Sequence, residues 1–364
     1  MVPRTARGAS MKFGLMAQIQ MPRPWEETTE RKAFWHALDQ AVAAEHAGFT
    51  YFWLTEQHFF IEIGHCSSPE MFLAALSQRT TRLRLGFGVI LMPCHNPFYI
   101  AERVATLDVL SNGRAEFGAG RGTSPYMVEA LGFKTEDGRD VGREALDAVL
   151  LMYDHEKFPG YKGKHFDLPS RYVVPRPIQR PHPPIWVAAS NLETYEHAGR
   201  QGFGVIGVTR NTPAETRPFI QAYKAAVRTS DASTRVARKV NDQNGVFAIG
   251  AVHKDDRIGR DLGCAAARWY YGDNEAEINN IRFVSGGGVK GINDKMGKRS
   301  NDELVDDAMS VSGNPDTVCR VVEKWAEAGI DQFNFFLQAG HISHEQVMRS
   351  IELIGEKVIP RFAD

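Results

Sequence analysis

The chain has 364 residues, 43% of them apolar and 24% charged, with 43 basic against 44 acidic side chains. That balance is ordinary for a globular protein and excludes a mostly disordered chain. A formal net charge of −1 leaves no electrostatic footprint for nucleic acid or for a polybasic membrane contact.

Residues 1–10 are polar and basic, too poor in apolar side chains for a signal peptide. They read as a leader or expression remnant, so residues 11–364 are taken as one domain. From Met11 onward, short apolar runs alternate with segments of helical period. Strands are predicted at Phe13–Ile19, Thr50–Leu54, Leu83–Leu91, Arg114–Gly118 and Ile185–Ala189, then at Phe203–Val208, Val246–Val252 and Ile330–Leu337. Between and after them lie predicted helices at Arg31–Ala47, Pro69–Gln78, Pro97–Leu110, Arg143–Tyr153, Glu193–Arg200, Ala214–Arg228, Ile258–Tyr270 and His344–Val358. Pro97 suits a first helical turn, and Gly48 suits a helix end. Eight strands alternating with helices imply parallel pairing, in a closed (β/α)8 TIM barrel or an open doubly wound sheet. The count of eight and the absence of a composition break favour the barrel.

Two segments interrupt the repeat. Residues 158–184 hold seven prolines and read as an extended loop. Residues 271–312, centred on Gly286-Gly287-Gly288, read as a mobile insertion after the seventh strand, on the active-site face. The four cysteines, Cys66, Cys94, Cys264 and Cys319, are widely spaced and form no CxxC, which suits a reducing, cytoplasmic compartment. No apolar stretch is long enough to span a membrane.

Several chemistries lack their motifs: there is no GxSxG elbow, no phosphate-binding Walker loop and no HExxH. No metal site is expected, and His341 with His344 reads as a solvent-facing pair. Gly118-Ala119-Gly120-Arg121-Gly122 has the wrong spacing and the wrong strand for a dinucleotide fingerprint. Its glycines strip side chains from a strand end and let something bulky approach the backbone. Arg121 is then either a surface arginine on a crowded barrel wall or the partner of an anionic cofactor.

Taken in order, Lys12-Phe13-Gly14, Trp53 through Phe59, Asn112 through Gly122, Ser190 through Gly202, Gly313-Asn314-Pro315 and Val358-Ile359-Pro360 resemble the bacterial luciferase-like family of flavin-dependent monooxygenases. The resemblance runs from Met11 to about Phe362 and implies a (β/α)8 barrel. It places Arg121 and Arg143 on the phosphate of FMN, with Ser190 and Thr194 completing the cradle just past Ala189. Ser190 precedes a helix, whose N-terminus favours an anion. Gly88-Val89 falls where the family packs the flavin ring, often through a non-proline cis peptide; Tyr126, four residues past Gly122, either covers the cofactor or packs on the loop. Gln57 stands where luciferase has its catalytic histidine, Asn96 where it has a further histidine, and Gly120 where it has a reactive cysteine. Light emission is therefore not expected.

His58 remains, at the C-terminal end of a barrel strand, as either a structural or a catalytic histidine, with Glu56 either orienting it or hydrogen-bonding backbone within the barrel. The resemblance implies a two-component monooxygenase that takes reduced FMN from a separate NAD(P)H-dependent flavin reductase and uses dioxygen to oxygenate a small organic substrate. It also implies a homodimer; the first helix, with Phe34, Trp35, Leu38 and Val42, is broader in apolar side chains than one buried stripe needs. The alternatives are a deazaflavin-dependent dehydrogenase of the same superfamily and a non-catalytic flavin-binding partner subunit.

Overall fold

The apolar runs are buried on both faces, as the wall of a closed parallel sheet requires; all four residues of Tyr51–Leu54 are buried. The computed structural model describes residues 11–122, 124–208, 211–231, 239–273 and 295–363. In chain order the first half comprises β1 (Lys12–Ala17), α1 (Thr29–His46), β2 (Tyr51–Leu54), α2 (Pro69–Ser77), β3 (Arg84–Phe87), β4 (Ile90–Leu91), α3 (Pro97–Leu110), β5 (Ala115–Gly120), α4 (Pro125–Val128) and α5 (Gly138–Asp154). A small antiparallel pair, β6 (Tyr161–Lys162) and β7 (Asp167–Leu168), precedes β8 (Ile185–Ala189) and α6 (Leu192–Gln201). Then follow β9 (Gly204–Val208), α7 (Pro213–Arg228), β10 (Asn244–Ile249), α8 (Asp256–Arg268), α9 (Asn301–Asp306), α10 (Pro315–Ala328), β11 (Gln332–Phe336) and α11 (His344–Leu353).

Pairing runs β3-β2-β1-β11-β10-β9-β8-β5-β4, and β3 also pairs with β5, so the sheet closes. β3 and β4 are two pieces of one barrel strand. Eight parallel staves result, as the strand count predicts. Tyr51, Trp53 and Trp186 plug the interior, with ring centroids 5.3–6.2 Å apart. Beside them the buried Glu116 carboxylate accepts from Trp186 Nε1 at 2.5 Å and pairs with Arg84.

Three expectations change. The third strand breaks at a cis Gly88–Val89 peptide instead of running through to Leu91. The space beside Gly118 and Gly120 is filled by that neighbouring stave. A Cβ on Gly118 would sit 1.9 Å from the Phe87 carbonyl oxygen, and one on Gly120 would sit 2.2 Å from a Val89 methyl. What approaches the glycines is first of all the protein's own backbone. Gly118→Ala must push a carbonyl rather than a flexible tip, and is expected to cost about 1–3 kcal/mol or more. A urea-unfolding midpoint equal to wild type would show that the wall yields freely.

Third, the predicted insertion is partly built into the body. Lys295–Gly297 form a helical turn, α9 follows, and Met296, Leu304, Val305, Met309 and Val311 are buried. Gly286–Gly288 and residues 1–10 lie outside the described residues. The pattern reading also missed α10, although Asn314 caps it, Pro315 opens it and Gly329 closes it at φ 101°. His344 is not simply solvent-facing: its ring stacks on His36 at 3.9 Å and bonds Gln40. No helix among the described residues is long and apolar enough to cross a membrane.

Candidate active site

A cavity of about 400 Å³ opens at the C-terminal ends of the staves, where loops converge on the barrel mouth. Its wall takes Met16 and Gln18 after β1, Thr55, Glu56 and Gln57 after β2, Gly88 and Val89 between β3 and β4, and Gly120 and Arg121 at the end of β5. Val187 through Asn191 continue it from β8, Phe247 closes it from β10, and Tyr270 from the turn that follows α8. The volume falls in the range of small-molecule and cofactor sites.

One wall is cationic. Arg139 and Arg143 lie one turn apart at the start of α5 and face Arg121 and His197, all four on the cavity lining. Arg139 is neutralised by Glu193, at 2.9 and 3.0 Å. Arg121 and Arg143 have no carboxylate partner among the described residues. Burial, and then the nearby Arg139, push the Arg121 guanidinium below its ordinary pKa. His197 is likewise lowered by burial and then by Arg143. Positive charges that disfavour one another in a concave wall favour an anion. Ser190, exposed at the β8 end, adds a hydroxyl beside them. Thr194 is on the wall, but its N–H and hydroxyl both donate to Asn191 Oδ1 at 3.0 Å, the N-cap of α6.

A second element is the carboxylate of Glu56, buried at 3% exposure. Its Oε1 accepts from His58 Nε2 at 2.8 Å and from His95 Nε2 at 2.6 Å; Oε2 accepts from the Leu91 N–H at 2.9 Å. An ionised carboxylate only accepts, so both histidines carry a proton on Nε2. Burial alone would raise this carboxyl's pKa, but the three donors outweigh it and hold it at about 2, against an ordinary 4.5. A depressed pKa contributes stability that is complete above pH 4.5 and is lost as pH falls toward 2. The full contribution is roughly 3 kcal/mol. Glu56→Gln should therefore flatten the pH dependence of unfolding in that window, measured by urea titration at successive pH values. Identical wild-type and variant slopes there would mean that Glu56 is not the group involved.

Glu56, Gln57, Gly88, Val89, Gly120, Arg121, Arg143, Ala189, Ser190 and Thr194 all line the one cavity. Three other candidates stand elsewhere. His58 lies behind Glu56. Asn96 is exposed, and its Oδ1 caps α3 by accepting from the Phe98 N–H at 3.0 Å. Tyr126 is tilted against Phe60, with centroids 6.0 Å apart and ring planes at 39°, while Phe60 itself is on the wall. Sequence reasoning missed His95, Arg139, Asn191 and His197. Arg139 had a signal, since it sits four residues before Arg143 on the same helical face. The hydroxyls of Thr55 and Ser124, two wall residues, are buried without a hydrogen-bond partner.

A family model described as luciferase-like monooxygenase matches residues 11–332. The chain is similar to limonene 1,2-monooxygenase of Rhodococcus erythropolis, 26% identical over 93% of this chain and 84% of that one. It is 22% identical to the oxygenase component of the flavin-dependent trigonelline monooxygenase of Acinetobacter baylyi, over 97% and 96% of the two chains. Among solved structures, monooxygenase RslO1 of Streptomyces bottropensis superposes with a TM-score of 0.79 at 26% identity, covering 97% of this chain and all of that one. The oxygenating constituent of 3,6-diketocamphane monooxygenase of Pseudomonas putida, in complex with FMN, gives 0.77 at 21%, over 97% and 99%. A coenzyme F420 dependent reductase of Methanopyrus kandleri gives 0.72 at 21%, over 97% and 100%.

Proposed function

The chain belongs to the luciferase-like monooxygenase family, and we propose that it is the oxygenase component of a two-component system. It would take FMN reduced by a separate NAD(P)H-dependent flavin reductase and use dioxygen to oxygenate a small organic substrate. The observation that carries this reading is a cationic wall with two arginines that have no carboxylate partner among the described residues, set against an apolar cavity at the barrel mouth.

The residues present fit FMN. Arg121 and Arg143 would hold the phosphate, with Ser190 beside them at the head of α6. Gly88, Val89, Gly120 and Ala189 offer a wall without long side chains to a flat ring, and the orphaned hydroxyls of Thr55 and Ser124 are polar groups that a ligand can satisfy. When bound, the flavin supplies the electrons and the activation of dioxygen. The chain's own contribution is to hold that group, to keep water out with Met16, Phe60, Met127 and Phe247, and to keep a proton on His58 Nε2 against Glu56. The relative named as an oxygenase component supports a reductase partner, and the neighbour solved with FMN supports the cofactor.

A deazaflavin reading draws support from the F420 dependent neighbour, so the test compares both cofactors. Anaerobic titration should show reduced FMN binding more tightly than reduced F420. Admission of air should then oxidise bound FMN more slowly than free FMN. Turnover of F420 alone, with no FMN binding, would overturn the proposal. The same preparation should show twice the 40.6 kDa chain mass by light scattering; a monomer would remove the homodimer.

A further inference from the structure

Among the described residues, the cavity's charges are not spread around its rim. Arg121, Arg139, Arg143 and His197 follow β5 and β8, and the wall's Asp147 follows Arg143 by one turn of α5. In the closed ring, β1, β11 and β10 lie opposite β5 and β8. The wall there is made by Met16, Gln18, Phe247 and Tyr270. Its polar groups are a neutral amide and a neutral phenol, with Gln18 Nε2 donating to the Tyr270 hydroxyl at 3.1 Å. Among the described residues the remaining charge on the cavity wall, Glu56, is already held by two imidazoles and a backbone N–H.

From this separation we infer that the protein's substrate is an uncharged, mostly apolar molecule with at most a neutral carbonyl or hydroxyl oxygen. Carboxylates, sulfonates, phosphates and ammonium groups are rejected. The inference rests on the FMN reading, because the phosphate must occupy the arginine wall for the far side to be what remains. An anion pushed against Met16, Phe247 and Tyr270 would be desolvated without a counter-charge, and a cation would have to compete for Glu56 with the three donors it already holds. A neutral oxygen can instead join the Gln18–Tyr270 pair. Methionine beside aromatic rings adapts to varied apolar shapes, so chain form matters less than charge.

The test uses protein saturated with oxidised FMN, followed by the perturbation of the flavin spectrum and by calorimetry near neutral pH. The probes are 2-decanone, carvone, decanoate and decyltrimethylammonium. At least one of the two ketones should bind on the order of tenfold or more tightly than either ion. Without FMN the arginine wall is open, and decanoate should gain affinity that Arg143→Ala removes. Gln18→Lys adds a cation to the far side and should shift the ranking toward decanoate in the FMN-loaded protein. If that variant does not fold, the wild-type ranking decides. Decanoate binding as tightly as the better ketone with FMN in place, or no ketone binding at all, overturns this inference alone. Failure to saturate with FMN overturns the cofactor reading and this inference with it.

Discussion

Arg121→Ala should weaken FMN binding by about tenfold to a hundredfold while leaving riboflavin affinity within about twofold of wild type. A hydrogen bond to a charged group contributes about 1.5–3 kcal/mol, which is that range of affinities. Arg121 has no carboxylate partner among the described residues, and burial and Arg139 already disfavour its charge. Removing it therefore costs the apoprotein little and the phosphate much. Arg143→Ala should behave in the same way. Arg139→Ala should have a smaller effect, because Glu193 already neutralises that guanidinium. Fluorescence titration of both flavins separates the cases, since riboflavin lacks the phosphate. Equal losses for FMN and riboflavin would make Arg121 a structural residue of the barrel rim.

The barrel was legible because apolar runs buried on both faces alternate with segments of helical period. The caps Asn96, Asn191, Thr212, Asn314 and Ser343 went unread as caps, and α10 was missed for that reason. The apolar run from Leu83 to Leu91 hides the break at Gly88–Val89, and the cis peptide found there was expected only from the family resemblance. Gly118 and Gly120 were visible as needing space, but sequence does not say what fills that space. The neighbouring stave does, through Phe87 and Val89.

For the site, position at a barrel strand's C-terminal end supported Arg121 and Glu56, while Gly88, Val89, Arg143, Ser190 and Thr194 came from the family resemblance. Partnerships were harder. His95 reaches Glu56 across 39 residues, a distance no local pattern reports. Asn96 was favoured over it by alignment to a family histidine, yet its geometry is that of a helix cap. Asn96→Ala should accordingly cost about 1 kcal/mol of stability.

The largest expected effect on turnover belongs to His58, and the structure supplies its own control. His58 and His95 donate through Nε2 to the same oxygen of Glu56, with side-chain exposures of 16% and 19%. Either alanine variant leaves Glu56 with one imidazole and the Leu91 N–H, so the two inflict nearly the same structural injury. They differ in place. His58 directly adjoins Gln57 of the cavity wall, whereas His95 lies three residues past the wall residue Met92, at the end of the turn that leads into α3. If His58 serves proton transfer at the barrel mouth, His58→Ala should lower turnover by about 10²–10⁴-fold. His95→Ala should lower it less than about tenfold, the loss expected from one weakened hydrogen bond. FMN affinity and melting temperature should change alike in the two variants. Added imidazole should restore part of the turnover of His58→Ala and none of that of His95→Ala, because only the first variant lacks a reacting group. Equal turnover losses without rescue would assign both histidines to holding Glu56 in place, and the proton would then have to be moved by another group on the wall.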